Sequence, residues 1–399
     1  MNKTLVIFGR QPALGLAEIE SLYGADTVTP IGNHGAIIDI DPNQFDINRV
    51  GGTVKAAKLL TQLEFTDWQK LSDYLVEHVP KHTCCIGPGK LLFGISTYGL
   101  QTNQKAIERT ALSVKKAVRQ SDMRPVRVIP TKATELSSAQ VLHNKLAQPP
   151  LGMELLLVQH GDSVYLAQTV GVQDIEAYAA RDQARPKRDA RVGMLPPKLA
   201  QIILNLAIGD LDAHIGEVIL DPFCGTGVIL QEAQIMKGFD VYGTDIDPRM
   251  VEYSKANLEW LHQTHQIGTN YFRLEVGDAT SYQWDIMNAV FCIACETYLG
   301  RPFAHTPDPE TLHLVMNDVN TIHKKFLQNV AKQTSKGFRM CIAVPAWFIN
   351  GSFKHLSTLD HLEELGYNRL SFKHVDNKSL IYHREGQIVG RELVVLVRK

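Results

Sequence analysis

The chain has 399 residues, enough for two or three domains that each bury a core. Its make-up, 44% hydrophobic and 21% charged, is that of an ordinary soluble globular protein. With a formal net charge of −1, any affinity for nucleic acid must come from local patches, because the field of the whole molecule supplies none. The cysteines, Cys84, Cys85, Cys224, Cys292, Cys295 and Cys341, show no disulfide framework and no paired zinc spacing, so no metal is expected and a reducing, cytoplasmic home is. MNKTLVIFGR, residues 1–10, is too short and too quickly interrupted for a signal peptide. No apolar run approaches the roughly 20 residues that span a bilayer, so no membrane is expected.

In chain order, TLVIFG (4–9) reads as a strand, LGLAEIESLYG (14–24) as a helix and GAIIDID (35–41) as a strand. VKAAKLLTQLEF (54–65) and the amphipathic DWQKLSDYLVEHV (67–79) continue the alternation. KLLFGISTYG (90–99) is a strand, QKAIERTALSVKKAVRQ (104–120) a helix and VRVIPT (126–131) a strand. SSAQVLHNKLA (137–147) is a helix with Ser137 or Ser138 as its cap. ELLLVQH and SVYLAQTV, separated by GDS, form a hairpin. RDQARPKRDARVGMLPPKLA (181–200) is basic and Pro-rich, a linker that ends in a helix with Pro196 and Pro197 in its first turn.

Strands and helices then alternate again. EVILDPF (217–223), VYGTDID (241–247), FRLEVGDAT (272–280), IMNAVFCIAC (286–295) and RMCIAVPAWF (339–348) are strands. GVILQEAQIMKG, PRMVEYSKANLEWL and the long TLHLVMNDVNTIHKKFLQNVAKQT are helices, and SLIYHREGQIVGRELVVLVRK is an antiparallel pair turning near Glu385. This predicts a mostly parallel sheet with helices on both faces and an antiparallel edge.

DPFCGTG (221–227) ends a strand and opens a helix. Gly225 and Gly227 let the backbone curl close to a ligand. A dinucleotide loop would want a third small residue, where this chain has Leu230, and would not open with an acid that repels phosphate. Asp221 suits a ligand bearing an ammonium group, and S-adenosylmethionine carries one together with a sulfonium. Asp245, 24 residues on, sits where an acid grips a ribose diol. Asp278 follows the next strand, where a carboxylate can accept from an adenine amine. Phe223, Ile246 and Ala279 beside these acids complete the expected cofactor contacts.

DPFCGTG with VYGTDIDPRMVEYSKANL and VGDAT resembles the methyltransferase half of the nucleic-acid base methylases. The linker block through LPPKLAQIILNLA resembles the lead-in of the THUMP-containing tRNA guanine-N2 methyltransferases that modify position 10, and FGRQPALGLAEIESL with VRVIPTKATELSSAQVLHNKL resembles their N-terminal modules. The resemblance implies an α/β chain. A ferredoxin-like module (1–70), a THUMP-like RNA-binding module (71–172) and a basic linker (173–200) would precede a Rossmann-like class I methyltransferase domain with a mixed seven-stranded sheet (201–399). It further implies tRNA as substrate, S-adenosylmethionine as cofactor and, in some members, a small activator subunit. Charge supports the RNA expectation independently. Residues 101–150 carry nine Lys or Arg against three acids, and 181–198 six against two. Lys115, Lys116, Arg119, Arg127, Lys132, Arg185, Lys187 and Arg188 are the expected phosphate-gripping residues.

ACETYLG (294–300) stands where that family has Asp/Asn-Pro-Pro-aromatic after the fourth strand. Tyr298 would stack on the extruded base. Glu296 would accept a hydrogen of an exocyclic amine, with Cys295 or Thr297 in the remaining polar role. Both prolines are absent, and Cys295 or Glu296 could hold the acid's place. Three readings stand open: a variant amine-holding pair acting on guanine N2, or on another amine such as adenine N6; a site that binds RNA and cofactor without chemistry; and a Cys295 nucleophile attacking a pyrimidine carbon. Trp347 and Phe348, after Pro345 at a strand tip, either help form the base pocket or pack in the core.

Overall fold

The computed structural model describes residues 3–83, 89–122, 124–189, 194–209, 216–265, 271–303 and 305–399, in two compact units built from interleaved stretches of chain. Cys84, Cys85 and residues 190–193 of the basic linker lie outside the described residues.

The first unit comprises Met1–Pro12, Asp26–Asn48 and Thr53–Glu176. Its first strand is β1 (Thr4–Phe8); the helix that follows, α1 (Pro12–Tyr23), belongs almost wholly to the second unit. The remaining elements are β2 (Val28–Ile31), β3 (Gly35–Ile38), β4 (Thr53–Leu63), α2 (Trp68–Thr83), β5 (Leu91–Tyr98), α3 (Gln104–Asp122), β6 (Val126–Val128), α4 (Ser138–His143), β7 (Gly152–His160) and β8 (Ser163–Val172). The strands form one eight-stranded sheet in the order β2-β3-β1-β4-β8-β7-β5-β6. The stretches expected as two modules therefore share a sheet, because β4 pairs antiparallel with β8 along most of its length.

Helices α2 and α3 bury Leu71, Leu75, Val79, Ile107, Val114 and Val118 against Phe93, Ile95, Leu155 and Leu157 of the sheet. The helical period leaves Lys116 and Arg119 on the opposite, exposed face of α3. Ser137 caps α4 in a capping box with Gln140, as the sequence suggests. Behind β4 the Lys55 ammonium is fully buried on the Glu154 carboxylate, which also accepts from Ser96 and Thr169, while Lys55 donates to the Leu136 carbonyl at 2.8 Å.

The second unit comprises Ala13–Ala25, Arg49–Gly52 and Ala177–Lys399. Part of the expected linker is helical, as α5 (Ile175–Ala184). Its Tyr178 hydroxyl bonds Gln201, and Arg181 pairs with the buried Glu232 at 2.9 Å. Then come α6 (Pro197–Ile208), β9 (Val218–Asp221), α7 (Val228–Lys237), β10 (Asp240–Asp245), α8 (Pro248–His265), β11 (Phe272–Val276), β12 (Val290–Glu296), α9 (Pro309–Gln333), β13 (Arg339–Ile349), β14 (Ser352–Lys354), β15 (Tyr367–Arg369), β16 (Ile381–Tyr382) and β17 (Val389–Arg398). The sheet runs β11-β10-β9-β12-β13-β17-β15, with short β14 on β13 and β16 on β17. The main path holds seven strands, the number expected, but β15 on it was not foreseen, and β16, expected as half of the terminal antiparallel pair, lies off the path on β17. The five from β11 to β13 are parallel, and β17 is antiparallel to β13.

From β9 the chain winds outward through β10 and β11, then returns to place β12 on the other side of β9. That reversal opens a crevice at the carboxyl ends of β9 and β12, the place where such sheets bind ligands. Helix α1 is fixed to this unit by Glu18, which accepts from the Gly51 and Gly52 amides at 2.9 and 2.8 Å and from Asn205 of α6 at 2.7 Å. Burial pushes the Glu18 carboxyl up to about 7.

Candidate active site

The crevice is a cavity of about 1060 Å³. Asp221, Asp245, Asp247, Asp278, Glu296 and Asp318 line it, against the cations Arg301, Lys325 and Arg391, so the wall is acidic on balance. Asp221, Phe223, Gly225, Asp245, Ile246, Asp278 and Ala279, the expected cofactor contacts, share this one hollow with Glu296 and Tyr298. Gly227 lies behind the loop, where a side chain would meet Ser254 Oγ at 2.8 Å; with φ of +77° it is a glycine by geometry as well as by space.

The loop is held from below. Ser254 donates to the Gly225 carbonyl at 2.8 Å. Asn257, fully buried on α8, donates to the Thr226 carbonyl at 2.8 Å and to the Lys187 carbonyl at 2.9 Å, and accepts from the Lys187 amide. Asp245 takes the Gly225 and Asp247 amides on its two oxygens at 2.9 and 3.0 Å. The carboxylate keeps acceptor capacity for a ligand hydroxyl. Asp221 accepts the Phe223 amide at 3.1 Å, and burial raises its pKa well above the usual carboxylate range, with Asp245 and Glu296 adding to the rise. Asp278 is exposed and accepts the Thr280 amide at 2.9 Å. Ile246, 69% exposed at the cavity mouth, offers an uncovered apolar surface.

At the tip of β12 the side chains divide. Ile293 and Cys295 turn into the core shared with Val319, Phe326 and Val330 of α9. Glu296 faces the cavity and pairs with Arg391 Nε of β17. Burial raises the Glu296 pKa, and Arg391 opposes the rise. Tyr298 stands at the rim, 42% exposed. Between them Thr297 is tied down: its amide and hydroxyl both reach the Ala343 carbonyl, and the hydroxyl lies 2.6 Å from His323 Nε2. Burial lowers the His323 pKa to about 4, so the imidazole is neutral. This anchor fixes the turn between the carboxylate and the ring.

Two expectations are corrected. Cys295 does not face the cavity, where a nucleophile or polar group would have to stand: its thiol is completely buried on the core side of β12, and burial raises its pKa well above the usual thiol range, with Asp221 adding to the rise. Arg185 is not a phosphate-gripping residue. It is 4% exposed, and its guanidinium bonds Asp182 at 2.8 Å. Arg188, Arg119, Arg127, Lys132 and Lys116 are exposed, Lys115 is half-buried, and Lys187 lies over the Tyr253 ring. Arg391, Asn257, Ser254 and His323 had escaped the sequence reading; only VEYSKANL, which contains Ser254 and Asn257, carried any signal of them.

A family model described as UPF0020, RMKL-like, methyltransferase domain, matches residues 185–284. The crystal structure of TrmN from Thermus thermophilus superposes over the whole of both chains with a TM-score of 0.51 at 15% identity. SMU.472, solved in complex with SAH, gives 0.51 at 11% identity over 100% of this chain and 98% of its own. The fold is that of the class I methyltransferases. Among curated relatives, a tRNA (guanine(10)-N2)-dimethyltransferase of Methanothermobacter thermautotrophicus is 32% identical over 166 residues, 41% of this chain and 43% of its own. One of the same name from Pyrococcus abyssi is 31% identical over 176 residues, 43% of each chain. The chain thus spans less than half the length of these curated relatives.

Proposed function

We propose that this chain is an S-adenosylmethionine-dependent tRNA methyltransferase that modifies an exocyclic base amine, guanine N2 first among them. The observation that carries the reading is that Glu296 and Tyr298 stand at the rim of the same hollow as Asp221, Asp245 and Asp278. The cofactor fits the donor set: Asp221 for its ammonium, Asp245 for its ribose, Asp278 for its adenine amine, and Ile246 and Phe223 for the ring faces. When bound it supplies an electrophilic methyl group on a positive sulfur.

The residues of the chain do the rest. Tyr298 stacks on the extruded base. Glu296 accepts a hydrogen of the target amine and so draws the nitrogen lone pair out of conjugation with the ring. The nitrogen must shed a proton as it gains a substituent, and Glu296, its pKa raised by burial, is suited to receive it. Arg391 keeps the carboxylate in place through one oxygen and leaves the other for the amine. The first unit, which contains residues 71–172 and the basic face of α3, forms the arm that grips tRNA. Among the described residues no helix is long and apolar enough to cross a membrane.

A second reading is favoured by the same ion pair: a carboxylate already held by Arg391, at a tip without prolines, suits a protein that binds tRNA and cofactor without transferring a methyl group. Incubating the purified chain with labelled S-adenosylmethionine and bulk tRNA, alone and with a small activator subunit, followed by nucleoside analysis, separates the two. Labelled N2-methylguanosine supports the first reading, and a labelled adenosine moves the assignment to N6. Cofactor binding with no labelled nucleoside in either arm leaves the silent binder.

A further inference from the structure

Beside the cavity lies a second hollow of about 490 Å³, lined by Thr306, Phe348, His383 and residues 385–388. Gly386, Gln387 and Ile388 line both spaces, so the turn before β17 is a shared wall. Two rings line it, Phe348 and His383, and Phe353 packs against both. Phe348 lies 5.0 Å from Phe353 and 5.0 Å from His383, and Phe353 lies 5.2 Å from His383, centroid to centroid. Phe348 and Phe353 are cross-strand partners on the β13/β14 hairpin, which accounts for their contact with each other.

Cross-strand pairing does not account for the outward face. Phe348 remains 37% exposed, whereas its neighbour Trp347 is fully buried in the core. The shelf is also held still: the Phe348 amide donates to the Ile388 carbonyl at 2.7 Å, and His383 Nε2 lies 2.7 Å from the Gln387 carbonyl. An apolar ring face with a fixed backbone, rimmed by the hydrogen-bonding groups of Thr306, Glu385 and Gln387, matches a planar heterocycle that carries amine and carbonyl edges. A phosphate would meet the Glu385 carboxylate.

We infer that this hollow receives the unpaired nucleobase adjacent to the one being methylated, stacked on Phe348. The inference rests on the proposed RNA methyltransferase reading, because the wall it shares with the cavity makes the two spaces neighbours along one strand. Base–aromatic stacking tolerates any base, and the acceptors of Glu385 and Gln387 favour one with an exocyclic amine.

The test uses the full chain as wild type, Phe348→Ala, Phe348→Leu and Phe348→Tyr, with thermal unfolding and labelled S-adenosylmethionine binding as controls. Filter binding of tRNA is measured across a salt series, with methyl-transfer KM where the wild type is active. Phe348→Ala should weaken tRNA binding and raise KM about tenfold, with kcat and the salt slope unchanged, as expected when a stacking platform is removed. Phe348→Tyr should restore binding and Phe348→Leu should not. A Phe348→Ala affinity within about twofold of wild type overturns the inference, and so does rescue by leucine equal to that by tyrosine, which would mean packing alone. If the wild type methylates no RNA, the proposed function fails, and the shelf is still judged by tRNA affinity.

Discussion

Arg391 and Glu296 lie 95 residues apart, on the antiparallel strand β17 and the parallel strand β12, and their side chains form an ion pair on the wall of the cavity. With side chains 9% and 16% exposed, neither charge has much access to water. Glu296→Gln keeps the shape and removes the charge that draws on the amine. It should lower methyl transfer about a hundredfold, measured under single-turnover conditions, while cofactor affinity stays near wild type. Tyr298→Ala should cost a comparable share of activity. Arg391→Met strands a buried carboxylate and should cost about 3 kcal/mol in urea unfolding.

Asp221 gives a pH dependence with a defined sign. Its pKa in the folded chain lies above the ordinary 3.8, so the empty protein holds a proton that the unfolded chain has released. Stability from this group is therefore present at low pH and is lost as pH rises through the folded value. A cationic ligand needs the ionised form, so cofactor affinity should rise over the same window, with proton release on binding. Calorimetry in buffers of different ionisation enthalpy reads the proton; Asp221→Asn should abolish both the release and the pH slope, and weaken binding at every pH.

Lys116 and Arg119 are exposed on α3, with Lys115 half-buried beside them. Changing all three to Ala should weaken tRNA binding and flatten its dependence on salt, by about 0.7 to 0.9 in log–log slope for each phosphate no longer neutralised. Nucleoside specificity should not change, because a grip on the phosphate backbone carries no sequence information. Unaltered affinity would remove this helix from the RNA-gripping surface.

The Lys55–Glu154 pair, with side chains 2% and 0% exposed, predicts non-additive stability. Lys55→Met alone leaves an unpaired buried carboxylate and should cost about 3 to 5 kcal/mol. Adding Glu154→Leu should recover most of that loss. A double-mutant cycle in denaturant measures it, and additive losses would deny the coupling.

How much of this was legible in the sequence depended on how local each feature is. The cofactor loop could be read because an acid, a tight turn and two glycines fall within seven residues at a strand-to-helix junction. Glu296 and Cys295 could not be told apart: both faces of a parallel strand are covered by helices, so β12 shows no polar–apolar alternation to assign them. Only the core packing of Cys295 against α9 settles which way each turns. Arg391 was hidden in a hydrophobic strand far along the chain, and Arg185 looked exposed because its partner Asp182 stood within the same charged run. Phe348 and Trp347 are neighbours of similar character in sequence, and the alternation of the strand sends one outward and the other into the core.

Glu18 has a consequence for the order in which the molecule can be made. The helix that carries it leaves the ribosome long before Asn205, the residue it must grip in the second unit. Until α6 is synthesised, α1 has apolar residues such as Leu14 and Ile19 to shelter, and its Glu18 carboxylate can meet the Gly51 and Gly52 amides but not Asn205. The first unit can close its sheet around this excursion, but the second cannot finish without it. A fragment cut at residue 177 would lack the plug that covers part of α6, so the boundary that looks natural along the chain is a poor place to divide it.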